Sequence, residues 1–419
     1  MNSFEGVEYK NSILHFSGVS LLELVKQYPT PFYLYSEEIL EKRINSYLEG
    51  IKNHNIKLMY SVKANSNLSI LKFIYTKGLG FDIVSGGELF RCLQVKANGD
   101  RIVFSGVGKT EEEIEFALKN NILLFSVESL SELYKIQEIA HKLKVVAPVN
   151  LRVNPDIDPK THPYISTGLK ENKFGIPSNE FEEIIQIALT LKNVELLGFG
   201  YHIGSQITDI NTKIEALEKS KKFINIFYKY KKLYFLDIGG GLGIQYKRDE
   251  NVLSPKEFVE KLLIHIPKGE FTLLLEPGRS IVGPAGIYIT KILYIKKNYN
   301  KNFYIVDGAM NELIRPSLYN AYHEILPINE DANSKQLVDV VGPICETSDF
   351  FAKNRLLPNL KENDYLAILS TGAYGFSMSS QYNSRPRPAE ILIKKNKTLQ
   401  IIRERENYLD LIHKEISYI

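Results

Sequence analysis

Leu236-Asp237-Ile238-Gly239-Gly240-Gly241-Leu242-Gly243 is a short apolar run that meets an acid and opens into glycines. Glycine lets backbone approach an anion closely, so the stretch reads as a phosphate cradle. The same composition also makes a plain tight turn. Its place in the chain decides between folds. A dinucleotide-binding sheet opens on such a loop, whereas here the loop follows the seventh apolar run.

Working outward, short apolar runs lie at residues 56–62, 79–84, 102–104, 123–127, 145–153, 196–202, 234–238 and 271–275. Helical periodicity fills stretches between them, as at 111–119, 131–142 and 180–191, with Thr110, Ser129 and Ser178 as N-cap residues. Alternation of this kind predicts a parallel (β/α)8 barrel over residues 30–282. Catalytic groups of a barrel stand just past the carboxyl ends of its strands. Here those ends deliver Lys63, Asp82 with Ser85-Gly86-Gly87, Ser105-Gly106, Glu128, Arg152 with Asn154, His202 with Gly204-Ser205, Asp237 with Gly239-Gly240-Gly241, and Glu276-Pro277-Gly278-Arg279. After Gly283, runs at 287–295, 303–306, 337–341, 365–368 and 390–394 are rich in β-branched residues and predict a mainly antiparallel β domain. Residues 1–29, with Val7-Glu8-Tyr9 and Ile13-Leu14-His15-Phe16, are β-like and are grouped with 283–419. One helical stretch, 313–322, interrupts that domain.

At 419 residues, two domains are the natural expectation. Apolar residues at 44%, charged ones at 24% and a net charge of +3 describe an ordinary globular chain. Lys219, Lys221, Lys222, Lys229, Lys231 and Lys232 interleave with Phe223, Ile224, Ile226 and Phe227, the pattern of a wet helix face rather than a nucleic-acid patch. The first residues have no basic and apolar leader, and no run approaches a membrane span, so a cytoplasmic protein is expected. Two distant cysteines imply no disulfide framework, and eight histidines without metal-binding spacing imply no metal.

Lys63 closes Met59-Tyr60-Ser61-Val62-Lys63. A half-desolvated lysine can lose its proton and condense with a carbonyl, although most strand-end lysines simply reach water. His202 can pack as an ordinary buried histidine or stack on a planar heteroaromatic ring, with Ser205 at a phosphate. Glu276 can pair with Arg279 on the surface or face a pyridinium N–H. Lysine, phosphate cradle and carboxylate on one rim together point to pyridoxal phosphate.

Tyr60-Ser61-Val62-Lys63-Ala64-Asn65, Phe81-Asp82-Ile83-Val84-Ser85-Gly86-Gly87-Glu88, His202-Ile203-Gly204-Ser205, Gly239-Gly240-Gly241 and Glu276-Pro277-Gly278-Arg279 resemble the fold-type III pyridoxal-phosphate decarboxylases. Within them, Asp307-Gly308-Ala309-Met310-Asn311-Glu312-Leu313-Ile314-Arg315-Pro316-Ser317-Leu318-Tyr319 and Gly342-Pro343-Ile344-Cys345-Glu346-Thr347 resemble the diaminopimelate decarboxylases. The resemblance covers nearly the whole chain. It implies a TIM-type barrel of the alanine-racemase kind plus a β domain, in a homodimer whose active sites are shared.

By that resemblance Lys63 anchors the cofactor, His202 stacks on its ring and Glu276 faces the pyridine nitrogen. Ser205, Gly239, Gly240, Gly241 and Gly278 take the phosphate, and Asp82 joins the cofactor set. Cys345, from the second subunit, is the proton donor, a task thiols suit because they ionise near working pH. Cys92 reads instead as a small buried hydrophobe. Meso-2,6-diaminopimelate carries a second amino-acid head. Arg279 and Arg315 suit its distal carboxylate, with Tyr319 on the helix face of Arg315, and Glu346 suits its ammonium. Tyr374 reaches phosphate and substrate. The long polar loop 155–175 is expected to be a lid. The alternative is a decarboxylase of another basic amino acid or polyamine precursor, such as ornithine, arginine or carboxynorspermidine, although ornithine would offer Arg315 no distal carboxylate. A racemase is disfavoured by the carboxylate at the pyridine nitrogen. A non-catalytic homologue is disfavoured by the retention of Lys63 and Cys345.

Overall fold

The eight runs pair side by side in a closed parallel barrel: Ile56–Ser61, Gly80–Ile83, Ile102–Phe104, Leu124–Val127, Ala147–Arg152, Val194–Gly200, Phe235–Asp237 and Thr272–Leu275. The last strand closes on the first with Leu275 beside Leu58. Parallel strands covered on both faces read as continuous apolar runs, and Gly80–Ile83, Ile102–Phe104 and Leu124–Val127 are buried throughout. Met59, Val103, Leu124 and Leu274 pack into one cluster drawn from the first, third, fourth and eighth strands. Each such side chain contributes about 1.5–3 kcal/mol by leaving water. The computed structural model describes residues 4–157, 172–330 and 334–419. The expected lid therefore lies largely outside the described residues.

Helix starts follow their capping chemistry. Thr110 opens Glu111–Lys119 with a capping box to Glu113, and Ser129 opens Leu130–Leu143. Ser178 does not cap. A turn in which the Glu180 N–H donates to the Pro177 carbonyl absorbs it, and the helix begins later, as Phe181–Thr190. In Ile210–Tyr228 the lysines at 219 and 222 face water while Phe223, Ile224 and Phe227 are buried, as the amphipathic pattern predicts.

The barrel belongs to a unit of Ile44–Gly243 and Leu253–Ser280; Met1–Arg43, Ile244–Val252 and Ile281–Ile419 form the second unit. The second holds a nine-stranded sheet. Its main path runs Phe350–Pro358, Lys335–Val341, Lys301–Val306, Gly286–Asn298, Phe32–Ser36, Ala389–Ile393 and Leu399–Arg403. Tyr365–Ile368 also pairs with the long Gly286–Asn298 strand and with Ile325–Pro327. Most pairings are antiparallel; Lys301–Val306 with Lys335–Val341, and Phe32–Ser36 with Ala389–Ile393, are parallel. Phe32–Ser36 falls inside the span expected for the barrel, yet it bonds Gly286–Asn298 on one side and Ala389–Ile393 on the other. The first residues make a separate small sheet, Val7–Lys10, Ile13–Phe16 and Val19–Ser20. The helix expected over 313–322 is only Arg315–Tyr319, ended by Asn320 in the left-handed region at φ 50°.

Candidate active site

On the barrel rim, the first strand ends in a single 3-10 turn, Val62–Ala64, that presents Lys63. The Tyr60 hydroxyl closes this turn by donating to the Asn65 carbonyl at 2.9 Å. Lys63 Nζ lies 3.5 Å from Asp82 Oδ2, with the lysine side chain 38% exposed and the aspartate 1%. Asp82 Oδ2 also accepts from Ser61 Oγ at 2.9 Å. Its Oδ1 is buried with no hydrogen-bond partner among the described residues. An amine beside a buried carboxylate, open on one side, is a fitting anchor for an aldehyde.

Glu276 and Asp237 share a hydrogen bond. Burial, then the nearby charges of Asp237 and Asp82, hold the Glu276 carboxyl well above its usual range, while burial pushes Asp237 up to about 6. The proton of the pair thus resides on Glu276 and Asp237 accepts it, Asp237 Oδ1 also taking the Gly239 N–H at 2.8 Å. His202 is half-buried. Burial, with Lys63, Arg152 and Lys213 nearby, drives its pKa well down. Its Nδ1 accepts the Gly240 N–H at 3.3 Å, so the imidazole is a neutral plane with its proton on Nε2.

The glycines are required where they stand. Gly239 and Gly241 take φ of +64° and +108°, and a Cβ on Gly240 would sit 2.0 Å from the Glu276 carbonyl oxygen. Arg279, buried, donates to Ser205 Oγ from Nε at 3.2 Å and from Nη2 at 3.1 Å. Expected on the distal carboxylate as well as the cofactor, Arg279 is thus tied to Ser205, the serine expected at the phosphate. Close-packed glycines, a hydroxyl and a fixed cation suit a phosphate dianion. A Cβ on Gly278 would crowd Ser61 at 3.0 Å, which holds the eighth strand end against the first.

The β unit gathers the remaining residues. Arg315, 5% exposed, starts the short helix that ends in half-buried Tyr319. Ser317 Oγ donates to the Ser348 carbonyl at 2.5 Å, fastening that helix to the turn carrying Cys345 and Glu346. Asp349 clamps both runs, Oδ1 accepting from Met310 N and Oδ2 from Ile344 N, each at 2.7 Å. Cys345 and Glu346 are exposed. Asn383 Oδ1 accepts from Cys345 N at 3.1 Å, and the Tyr382 hydroxyl donates to Glu346 Oε1 at 2.5 Å. Tyr374, half-buried at φ 56°, follows a tight turn in which a Cβ on Gly372 would meet the Val282 carbonyl at 1.9 Å.

Residues 37–283 match the family described as "Pyridoxal-dependent decarboxylase, pyridoxal binding domain". The chain is 45% identical over 403 residues to the diaminopimelate decarboxylase of Aquifex aeolicus, covering 96% of this chain and 95% of that protein. The chain belongs to the diaminopimelate decarboxylase family. Its cofactor is pyridoxal phosphate, and the rim described above fits it. The crystal structure of the Helicobacter pylori diaminopimelate decarboxylase complexed with L-lysine superposes with a TM-score of 0.89 at 43% identity, covering 95% of this chain and 100% of that one. The crystal structure of the diaminopimelate decarboxylase from m. jannaschii in co-complex with L-lysine gives a TM-score of 0.91 at 37% identity, covering 99% of this chain and 98% of that one.

Some residues were not singled out from sequence. Lys213, 2% exposed, donates from Nζ to the Ile238 carbonyl at 2.8 Å, behind the glycine loop. It shares a helix face with Ala216, Leu217, Ser220, Ile224 and Phe227, all buried, and that spacing was the available signal. Glu88, a neighbour of Asp82 and Lys63, is pushed up to about 7 by burial. Cys92 is buried in Gly86–Gln94, and burial raises its thiol far above the ordinary range. Among the described residues no helix is long and apolar enough to cross a membrane.

Proposed function

We propose that this chain decarboxylates meso-2,6-diaminopimelate to L-lysine and CO2, the last step of lysine biosynthesis. The observation that carries the substrate assignment is Arg315, a buried guanidinium on the helix that also bears Tyr319. A distal carboxylate complements it, and ornithine would bring no such anion. The names of relatives at 45% identity, and L-lysine in the Helicobacter pylori structure, support the same substrate.

Bound pyridoxal phosphate supplies an electron sink for the charge left when CO2 departs. The Lys63 amine, with Asp82 beside it, would hold the cofactor at its aldehyde carbon. His202 offers a neutral plane to the ring. The Glu276 carboxyl would face the pyridine nitrogen and share a proton with it. Arg279, Ser205, Gly278 and the Gly239, Gly240 and Gly241 loop would hold the phosphate, with Tyr374 a further residue assigned to it. Arg315 and Tyr319 bind the distal carboxylate, and Glu346 the distal ammonium. Cys345 Sγ delivers a proton to the α-carbon after CO2 leaves.

We assign the working form to a cytoplasmic homodimer in which Cys345 and Glu346 of one copy complete the barrel site of the other. The exposure of both residues in the single chain supports this. The division into a barrel over 30–282 and a β domain of 1–29 and 283–419 is kept as a functional description, with Phe32–Ser36 bonded into the β sheet. The test is CO2 release from meso-diaminopimelate, L,L-diaminopimelate, ornithine and arginine in parallel. Preference for any substrate but the meso isomer would sink the assignment.

A further inference from the structure

Arg315 is held between two rings. Its Nη1 lies 2.8 Å from His323 Nε2, and its guanidinium carbon is 4.7 Å from the centre of the Tyr246 ring. His323 is 0% exposed, and its Nδ1 lies 2.8 Å from the Leu369 carbonyl. A carbonyl only accepts, so Nδ1 carries the ring proton. An arginine only donates, so Nε2 must offer its lone pair. The imidazole is therefore neutral in a single tautomer. Tyr246 meets it edge-on, with ring centres 5.0 Å apart and planes at 79°. The Leu369 carbonyl is itself held, because its own N–H donates to the Glu324 carbonyl at 2.9 Å.

We propose that His323 is a positioning residue that aims Arg315 at the distal carboxylate of the substrate, with Tyr246 fixing the guanidinium plane. The inference rests on the reading that Arg315 receives that carboxylate. A neutral imidazole suits the task better than an acid. It orients the guanidinium through one N–H and adds no negative charge of its own beside it. A carboxylate in the place of His323 would compete with the substrate for the same donors. The backbone carbonyl of Leu369 makes the orientation rigid, since it locks the ring from the far side.

The test compares holoenzymes carrying His323→Leu and His323→Gln with wild type. The readouts are KM and kcat for CO2 release from meso-diaminopimelate, and the affinities of L-lysine, which keeps the distal carboxylate, and of 1,5-diaminopentane, which lacks it. His323→Leu should raise KM and weaken lysine binding by about 10- to 100-fold, the range for a misaimed charged contact. Its kcat should stay within about threefold and its 1,5-diaminopentane affinity should not move. Glutamine retains an acceptor and a donor and should recover most of the loss. Equal weakening toward both ligands, or no change in KM and lysine affinity, would overturn the proposal. If His323→Leu does not fold, Tyr246→Leu replaces it, with a smaller KM rise expected and no rise counting against the idea. Wild type inactive on meso-diaminopimelate would sink the functional reading instead, and the two binding measurements would still decide the role of His323.

Discussion

Replacing Lys213 with methionine keeps a buried unbranched side chain but removes the charge. Burial pushes the ammonium from its ordinary value of 10.5 down to about 8, against the upward pull of Glu276 and Asp237. In the unfolded chain the lysine titrates normally. Below about pH 8 both states are charged, and the folded state carries the whole penalty of roughly 3 kcal/mol. Between about 8 and 10.5 the unfolded chain binds more protons, so stability climbs with pH until the penalty is gone. From pH 7 to about pH 9.5 the recovery amounts to roughly 2 kcal/mol. Methionine removes this dependence, but strands the Ile238 carbonyl at a cost of about 1–3 kcal/mol. The two proteins should therefore be close in stability at pH 7, with wild type gaining on the variant by roughly 2 kcal/mol as pH rises to about 9.5. Urea denaturation of both proteins at matched pH values measures this directly. A difference that stays flat across the range would refute the buried, strained ammonium.

Gly240→Ala should lower pyridoxal-phosphate affinity at least tenfold, because the new Cβ would sit 2.0 Å from the Glu276 carbonyl oxygen and the loop must move; titration of apoenzyme with cofactor checks it. Asp349→Asn turns one of two acceptors toward a backbone N–H as a donor, costing about 1.5–3 kcal/mol at the Met310 or Ile344 contact. Its kcat should fall while the cofactor absorbance at the barrel stays normal, and an unchanged kcat would show that the clamp does not position Cys345. Cys345→Ala should lower kcat by about 10²–10⁴-fold with cofactor binding intact, the loss expected for a general acid. Lys63→Ala should abolish the long-wavelength absorbance of the bound cofactor, and a normal spectrum would exclude Lys63 as its anchor.

The barrel was legible because strands buried on both faces write themselves as apolar runs bounded by polar strand ends. Phe32–Ser36 has the same signature and lies inside the span expected for the barrel, since nothing local says which sheet a buried strand joins. Phe350–Pro358 was passed over because Lys353, Asn354 and Arg355 interrupt it, the face turned to water at mid-strand. On the rim, Lys63, Asp82, His202 and Glu276 stand where the strand ends place them. His323 was not legible: its partners Arg315 and Leu369 are distant in sequence, and a single histidine between Tyr322 and Glu324 carries no signal of either. Lys213 was hidden by its neighbours, because a lysine-rich helix reads as a wet surface unless each position is assigned to a face.

The chain passes between its two units at residues 43/44, 243/244, 252/253 and 280/281. Neither unit is therefore a module in the genetic sense. The shortest unbroken segment that encodes the whole barrel unit also encodes Ile244–Val252, whose home is the β unit and which bears Tyr246. A recombination event that swapped the barrel between relatives as one segment would carry along the ring that faces Arg315, and with it part of the other unit.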